Sequence, residues 1–164
     1  TTLKELESKK QKTILIGVTY ALLDLAEEFP QKLEQIIIME TGGMKGQRKE
    51  LLKEEIHSIL KQSFATKNIH SEYGMTELLS QAYSQGNNIF KTPPWMKILI
   101  RDVNDPLSII SNKAGGINVI DLANIFSCPF IATQDLGRTF DDGSFSVLGR
   151  FSNADIRGCN LLVQ

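Results

Sequence analysis

Short apolar runs that alternate with helical patterns are the feature that most constrains the fold of this chain. Thr13 to Val18 reads TILIGV and Gln35 to Met39 reads QIIIM, and both are rich in β-branched residues and almost wholly apolar. Such runs are typical of strands buried in a parallel sheet. Between them, Thr19 is placed to cap a helix that reaches about Phe29 and that Pro30 ends. The pattern predicts a strand-helix-strand unit and therefore an α/β fold.

A second helix is expected after the glycine-rich stretch ETGGMKGQRKE at residues 40–50. From Gln47 to Phe64, apolar residues recur at helical spacing among lysines and glutamates, which predicts an amphipathic helix packed on the sheet. His57 is expected on the polar, solvated side of this helix. A brief strand should follow at Asn68 to His70, and the stretch TELLSQAYSQ at residues 76–85 is compatible with one or two helical turns.

The pattern changes at Thr92, where TPPW is followed by strand-like segments that begin with MKILIRDV at Met96 to Val103. The stretch TFDDGSFSVLGR is typical of a hairpin. We therefore expect an antiparallel, β-rich second part. Further turns are predicted at residues 104–106, 115–116 and 141–143. The predicted organisation is an α/β part at residues 1–91, a small β-rich subdomain at 92–149 and a C-terminal stub at 150–164.

Composition excludes several classes of function. The chain has 164 residues, of which 41% are hydrophobic, enough for a globular core. A net charge of -1 gives no general attraction to nucleic acid, and no apolar run is long enough for a membrane span. Cys128 and Cys159 suggest neither a disulfide framework nor a zinc site, so a reducing, cytoplasmic location is expected. The chain begins without Met, which we interpret as a truncated start.

Two stretches combine groups suited to a ligand. Gly42 and Gly43 follow a predicted strand, where they allow close approach of a ligand to the backbone or simply form a strand-to-helix turn. The motif YGMTE at Tyr73 to Glu77 provides an aromatic face, a hydroxyl and a carboxylate suited to Mg²⁺. It is equally compatible with a helix cap, in which Thr76 is the N-cap and Glu77 lies in the first turn. Similarly, Lys45 and Arg48 could meet a phosphate or decorate a helix start.

The order of four motifs resembles that of the adenylate-forming superfamily of acyl-CoA synthetases, peptide-synthetase adenylation domains and luciferases. In that superfamily a glycine-rich strand end precedes Tyr-Gly-x-Thr-Glu, followed by Thr-Gly-Asp-Leu and then by Gly-Arg at a hinge. The matching residues here are Gly42 to Met44, Tyr73 to Glu77, Thr133 to Leu136, and Gly149 with Arg150. The resemblance covers residues 14–158 and implies the fold of an adenylating core together with the cofactors ATP and Mg²⁺.

The resemblance also implies a role for each matched residue. Tyr73 would lie along the adenine, and Thr76 would contact the α-phosphate or the acyl phosphate as a catalytic residue. Glu77 would hold Mg²⁺, and Asp135 and Arg150 would hold the ribose hydroxyls. The remaining implied nucleotide-binding residues are Gly42, Gly43, Met44, Gly74 and Met75.

Within the superfamily, METGGMKGQRKE and the terminal DIRGCNLL look most like the acyl-protein synthetases of bacterial luminescence systems and their relatives. In those enzymes a cysteine near the C-terminus captures the acyl group and passes it to a reductase partner. Cys159 stands at the matching place, and Arg157 beside it would favour the thiolate. The alternative is that Cys159 is a small buried residue. Cys128, among aromatic residues, is expected in the core, and His70 is expected to be structural.

Three departures from the family pattern refine the prediction. The Ser/Thr/Gly-rich loop that wraps the ATP phosphates does not occur, so this chain alone is expected not to adenylate. The large C-terminal lid does not occur either, which favours acyl-protein synthetases over CoA ligases. Gln134 also replaces a glycine beside Asp135. The leading hypothesis is the C-terminal half of an acyl-protein synthetase for a fatty or other carboxylic acid; the alternatives are a phenylacetate-type CoA ligase, which shares Tyr-Gly-Met-Thr-Glu, and a non-catalytic binding module.

Overall fold

The computed structural model describes residues 2–44, 47–48 and 51–151. These residues form two compact units, which we call the N-terminal unit (residues 2–72) and the C-terminal unit (residues 73–151). The helices are α1 Thr2–Ser8, α2 Thr19–Glu28 and α3 Lys53–Ser63, with a 3₁₀ turn at Leu122–Asn124. The strands are β1 Thr13–Val18, β2 Ile36–Thr41, β3 Ile69–Tyr73, β4 Ala82–Ser84, β5 Phe90–Lys91, β6 Met96–Arg101, β7 Ile109–Ile110, β8 Gly115–Asp121, β9 Phe130–Thr139 and β10 Phe145–Arg150.

The N-terminal unit is built on a parallel sheet in which β1 pairs with β2 and β2 with β3. Thr13 lies opposite Ile36, and Ile38 lies opposite Ile69. The predicted strand-helix-strand unit is therefore confirmed. The core of this unit combines apolar residues of the sheet and of α2 and α3, namely Leu22, Leu23, Ala26, Leu33, Ile36, Ile38, Met44, Ile56, Leu60, Phe64 and Ile69.

The expectation that β1 is wholly buried is wrong. Ile14 and Ile16 are 54% and 57% exposed, whereas the alternate positions of β2, Ile36 and Ile38, are fully buried. Side chains of a strand point alternately to the two faces of a sheet. One face of β1 is therefore open to solvent among the described residues.

The ends of the helices differ from those predicted. The Thr19 hydroxyl donates to Glu40 Oε2 at 2.8 Å instead of capping α2. Helix α3 begins at Lys53 and not at Gln47, and the backbone N–H of Leu52 donates to the Glu55 side chain at 2.9 Å. This contact satisfies a donor that the helix itself leaves unpaired.

Helix α1 is an element that the sequence analysis did not predict. Leu3 and Leu6 pack against the core of the N-terminal unit. The Glu7 carboxylate accepts the backbone N–H groups of Glu34 at 2.9 Å and Gln35 at 3.0 Å. These contacts tie α1 to the segment that leads into β2. Within the described part of the chain, every helix is too short or too polar to cross a lipid bilayer.

The C-terminal unit is antiparallel and β-rich, as predicted. Its strands follow the order β4-β5-β10-β9-β8-β6-β7. Its core is formed by Tyr73, Leu78, Ala82, Phe90, Met96, Ile98, Ile100, Ile117, Val119 and Phe145. The predicted hairpin is confirmed as β9 and β10, joined by a turn in which the Phe140 N–H donates to the Ser144 carbonyl at 2.8 Å.

Two local predictions in this unit are wrong. Residues 76–85 form a turn followed by β4, and no helix begins at Thr76. Gly115 and Gly116 lie inside β8 and not in a turn. A Cβ at Gly115 would lie 2.3 Å from the Arg101 carbonyl oxygen, so these glycines allow β6 and its Arg101 side chain to approach β8 closely. The predicted domain boundaries at residues 91 and 149 stay predictions.

Candidate functional site

Three of the predicted site residues meet in the C-terminal unit. The Tyr73 hydroxyl donates to Asp135 Oδ2 at 2.9 Å, and Arg150 Nε lies 3.4 Å from Asp135 Oδ1. Tyr73 ends β3, Asp135 lies in β9 and Arg150 ends β10. Tyr73 and Arg150 are 62 and 15 positions from Asp135 in the sequence, yet both contact its carboxylate. We call this group the Tyr73–Asp135–Arg150 cluster.

An irregularity in β9 determines where Asp135 lies. Gly116 of β8 pairs with Leu136, whereas Asn118 pairs with Ala132, so Ile117 alone lies opposite residues 133–135 of β9. The extra residues of a bulge are not paired in the ladder, and other groups must satisfy them. Thr133 Oγ1 does so: it donates to the Ile117 carbonyl at 2.9 Å and accepts the Asp135 N–H at 3.1 Å.

A second irregularity, in β10, orients Arg150. The β9–β10 register shifts between Val147 and Gly149, and beyond the shift Arg150 lies opposite Asp135. Gly149 has a φ of 140°, a backbone conformation that favours glycine. Gln134, the residue that departs from the family motif, accepts a hydrogen bond from the Arg150 guanidinium at 3.1 Å. The departure therefore adds a contact to the Arg150 side chain.

Arg101 supports this region and was missed in the sequence analysis. Its guanidinium donates to the Ile117 carbonyl at 2.9 Å and to Asn118 Oδ1 at 2.7 Å, and it also donates to the Thr133 carbonyl. Gly116 lies opposite Arg101 in the β6–β8 register, and a Cβ there would lie 2.5 Å from Arg101 Cζ. Because the pairing of Gly116 with Arg101 depends on the register of β6 and β8, the sequence alone does not identify this support.

The ring of Tyr73 belongs to the core of the C-terminal unit. It packs edge-on against Phe90 and Phe145, with centroid distances of 6.1 and 5.4 Å, and the residue is 8% exposed. Burial and the neighbouring Asp135 carboxylate raise the pKa of Tyr73 well above its ordinary value. Tyr73 is therefore a neutral hydrogen-bond donor, and its predicted place along the adenine stays a prediction.

Thr76 and Glu77 lie in the turn that follows Tyr73, and both residues are exposed. The Leu78 N–H donates to the Met75 carbonyl at 3.1 Å, and Leu78 is buried at 5% exposure, so the turn is anchored in the core. The alternative interpretation of Thr76 as a helix N-cap is wrong, because no helix follows it. Both side chains are therefore presented at the surface by a turn.

The glycine stretch lies in the N-terminal unit, directly after β2. Gly42 has a φ of 69°, a left-handed conformation that suits glycine. A Cβ added at Gly43 would meet no atom within 4 Å, which leaves its backbone approachable. Met44 is 1% exposed in the core, so any ligand contact there would fall to its backbone. The nucleotide-binding roles of these three residues stay predictions.

A buried polar group in the same unit was also missed, and we call Thr19, Glu40, Lys53, His57 and Ser71 the Glu40 cluster. Glu40 has no exposed surface; it accepts from Thr19 and from Lys53, and His57 Nε2 lies 3.6 Å away. Burial raises the pKa of Glu40, but the contacts with His57, Lys53 and Ser71 outweigh it and lower that pKa to about 2.

The hydroxyl groups of the Glu40 cluster, those of Thr19 and Ser71, are fully buried. His57 Nε2 lies 3.0 Å from Ser71 Oγ, but the same nitrogen faces Glu40, and Ser71 is fully buried. In a Ser-His-acid triad the two imidazole nitrogens face different partners. The cluster is therefore a structural network. His57, expected to be solvated, is 5% exposed, so that prediction is wrong.

Five further side chains were assigned a role or an environment from the sequence. Arg48 forms ion pairs with Asp24 and Glu27 of α2 and thereby ties its own segment to that helix. It does not lie in the first turn of α3, which begins at Lys53. Cys128, expected in the core, is exposed, and its Sγ lies 3.5 Å from the Phe130 carbonyl oxygen. Cys159 lies outside the described residues, as do Arg157 and Lys45.

Comparison with solved structures gives the fold a context. ATP-bound MatB from Rhodopseudomonas palustris matches with a TM-score of 0.64 and 17% identity over 90% of this chain. A benzoate CoA ligase from Burkholderia xenovorans matches with a TM-score of 0.58 and 16% identity over 91% of this chain. The amide bond synthetase McbA from Marinactinospora thermotolerans matches with a TM-score of 0.61 and 15% identity over 91% of this chain. The fold is that of part of the adenylate-forming ligases.

The chain spans about a third of the length of these solved structures, between 32% and 34% of each. No protein-family model and no curated protein matches the sequence. The shared fold confirms the predicted α/β class and the resemblance to adenylate-forming enzymes at the level of fold. Among the described residues, no three potential metal-ligating side chains converge.

Proposed function

We propose that this chain is the nucleotide-binding C-terminal part of a ligase that activates a carboxylic acid as acyl-AMP and transfers the acyl group to a protein cysteine. The observation that carries the proposal is the Tyr73–Asp135–Arg150 cluster. The exposed Thr76 and Glu77 lie three and four residues after Tyr73 in the sequence. The likeness in fold to ATP-bound MatB and to a benzoate CoA ligase supports it.

In this proposal Asp135 binds the ribose. Its Oδ2 accepts from Tyr73, and its Oδ1 faces Arg150, whose side chain is 34% exposed. A carboxylate offers about four acceptor positions. Asp135 therefore retains capacity for the two ribose hydroxyls, and the Arg150 guanidinium lies beside it. Tyr73, held neutral and packed by Phe90 and Phe145, keeps the carboxylate in place.

Thr76 and Glu77 would act on the phosphate. A magnesium ion takes one or two carboxylates together with substrate phosphates and water, so a single exposed glutamate fits its coordination habits without a cluster of protein ligands. Bound there, it would neutralise charge on the phosphates. The Thr76 hydroxyl is a donor for an oxygen of the α-phosphate. The substrate carboxylate oxygen would form a bond to the α-phosphorus as the bond to pyrophosphate breaks.

The second step is assigned to Cys159 on the strength of the resemblance. The Cys159 thiolate would attack the acyl carbon of acyl-AMP, and AMP would leave with the electrons of the broken C–O bond, giving a thioester. A reductase that accepts this acyl group is the proposed partner. The fatty nature of the acid and the cytoplasmic location stay predictions.

Acid-dependent labelling of the full-length protein tests this assignment. With labelled fatty acid and MgATP, we expect label that neutral hydroxylamine releases, because thioesters react with it. Cys159→Ser should abolish the label. Cys128→Ser is the matched control, since Cys128 is an exposed thiol of the same chain and should keep the label. Label that persists in Cys159→Ser, or that resists hydroxylamine, would exclude the thioester.

A CoA ligase of the phenylacetate type is the second candidate, and the match to a benzoate CoA ligase favours it. It predicts that AMP release requires CoA and that Cys159→Ser leaves turnover unchanged. The absence of pyrophosphate exchange in the full-length protein with aliphatic and aromatic acids would instead favour a non-catalytic binding module.

A further inference from the structure

The turn that presents Thr76 and Glu77 has no regular secondary structure to hold it. We call residues 74–80 the motif turn; its backbone runs between the end of β3 and the start of β4. Backbone outside helices and strands needs other partners for its polar groups. The partners of the second half of this turn are side chains of β8 and of the 3₁₀ turn that follows it, Asp121 and Asn124.

Asp121 binds the end of the motif turn. It has no exposed surface, and its Oδ2 accepts the N–H groups of Leu79 and Ser80, each at 2.9 Å. Its Oδ1 accepts the Ser80 hydroxyl at 2.7 Å and the Ala123 N–H at 3.1 Å. Burial raises the pKa of Asp121, but these hydrogen bonds lower it below its ordinary value. The ionised carboxylate therefore ties the motif turn to the 3₁₀ turn.

Asn124 binds the residue that would hold the metal ion. Its Nδ2 donates to the Glu77 carbonyl oxygen at 2.8 Å and to the Cys128 carbonyl oxygen at 3.0 Å, and the residue is 7% exposed. An amide nitrogen has two protons, and both are used here. The Glu77 carbonyl is thereby fixed, while Glu77 itself is an exposed residue.

Asp121 and Asn124 both hold backbone groups of the motif turn, whereas Thr76 and Glu77 are exposed residues. Trp95 Nε1 donates to the Ser80 hydroxyl at 2.9 Å, so the turn that precedes β6 also supports the motif turn. Thr76 and Glu77 are the two central residues of the turn that the Leu78–Met75 hydrogen bond closes. A buried and satisfied polar network of this kind makes one backbone conformation strongly preferred.

We infer that Asn124, supported by Asp121, is a positioning residue for the adenylation step, which it serves by fixing the Glu77 carbonyl. The inference rests on the proposed function, because it assumes that Glu77 and Thr76 meet the phosphate. A displacement of about 1 Å in a group that positions substrate costs roughly 100-fold in rate. Asn124→Ala should therefore lower kcat by about 10- to 100-fold, raise the Mg²⁺ concentration needed for half-maximal rate, and leave KM for the acid unchanged.

The measurement is acid-dependent pyrophosphate exchange by the full-length protein, titrated with Mg²⁺. The matched control is Asn68→Ala in the N-terminal unit, because Asn68 Nδ2 likewise donates to a backbone carbonyl, that of Glu34, at 3.1 Å. It should leave kcat unchanged. Asn124→Asp is the second variant: it keeps the shape but places an acceptor against two carbonyl oxygens. Equal kcat and Mg²⁺ dependence in wild type, Asn124→Ala and Asn68→Ala would overturn the inference.

A double-mutant cycle with Glu77→Gln identifies the route of the effect. If Asn124 acts through Glu77, the loss in kcat/KM for the pair should be smaller than the product of the single losses. Asn68→Ala combined with Glu77→Gln should show no such coupling. Multiplicative losses for the Asn124 pair would mean that Asn124 acts elsewhere and would overturn the inference.

Amide hydrogen exchange provides a readout that does not depend on activity. In Asn124→Ala the N–H groups of residues 77–80 should exchange faster, while those of β1 and β2 should not change. A wild-type protein without pyrophosphate exchange would overturn the proposed function. Unchanged protection of residues 77–80 in Asn124→Ala would overturn the positioning role whether or not the wild type is active.

Discussion

Replacement of Glu40 by Gln should destabilise the N-terminal unit in a way that depends on pH. Glu40 is fully buried against Lys53, whose side chain is 26% exposed, and it accepts a hydrogen bond from Thr19. The cluster lowers the pKa of Glu40 from an ordinary value of 4.5 to about 2. A pKa shift of one unit is worth about 1.4 kcal/mol, so this lowering corresponds to about 3 kcal/mol of folding free energy in favour of the ionised carboxylate.

Glutamine has nearly the shape of glutamate but carries no charge, so Glu40→Gln should lose about 3 kcal/mol of unfolding free energy at neutral pH. A lowered carboxyl pKa stabilises the folded state above the pKa of the unfolded chain. The contribution of Glu40 therefore declines as the pH falls below about 4.5 and is lost near pH 2. The stabilities of wild type and variant should converge over this interval.

Urea unfolding followed at several pH values tests the argument. Circular dichroism of helices reports on the N-terminal unit, because α1, α2 and α3 lie there, whereas fluorescence of Trp95 reports on the C-terminal unit. Glu34→Gln is the matched control: Glu34 pairs with Lys32 at 3.2 Å but its side chain is 54% exposed, so the loss should be below about 1 kcal/mol. Equal stability of Glu40→Gln and wild type at neutral pH, or a difference constant down to about pH 2, would refute the reasoning.

Three more predictions concern the site and its support. Glu77→Gln should lower pyrophosphate exchange in the full-length protein to a small but measurable residual rate while circular dichroism stays unchanged; unchanged exchange would exclude its metal role. Because the pKa of Tyr73 is raised, Tyr73 should stay protonated in the folded protein at about pH 11, and Tyr73→Phe should leave the phenolate absorbance unchanged. In guanidinium at the same pH, where the chain is unfolded, Tyr73→Phe should remove one-third of the phenolate absorbance, since the chain has 3 tyrosines. Gly115→Ala should lower the free energy of unfolding by at least about 2 kcal/mol, because its Cβ would lie 2.3 Å from the Arg101 carbonyl oxygen. Gly43→Ala, whose Cβ would meet no atom within 4 Å, should leave that free energy unchanged, and urea unfolding of both variants checks the difference.

The regular elements were predictable where the pattern was local. The apolar, β-branched run of β1 and the turn signals between β9 and β10 identify those elements correctly, because adjacent residues determine strands and hairpins of this kind. The helix expected at residues 76–85 fails for the opposite reason. The N–H groups of Leu79 and Ser80 bind Asp121, more than 40 positions away, and this contact decides the conformation.

The site was only partly predictable, because register irregularities cannot be read from alternation. The motif identified Asp135 and Arg150, but the offsets in β9 and β10 that bring them together depend on strand pairing. The support from Arg101 and Asn124 is equally non-local, since both donate to backbone carbonyls of distant segments. A short motif thus names the side chains that could meet a ligand, whereas the contacts that hold them come from elsewhere in the chain.

The Glu40 cluster shows that a closer reading of periodicity would have found more. Ile36 and Ile38 point into the core, and a period of two places Glu40 on the same face of β2. Ser71 lies on the buried face of β3 with Ile69, and His57 lies beside Ile56 and Leu60 in α3. Polar residues at buried positions of adjacent elements must satisfy one another, because each alone would leave a costly unpaired group. The pattern that predicts a core therefore also predicts buried polar networks wherever polar residues interrupt it on neighbouring strands.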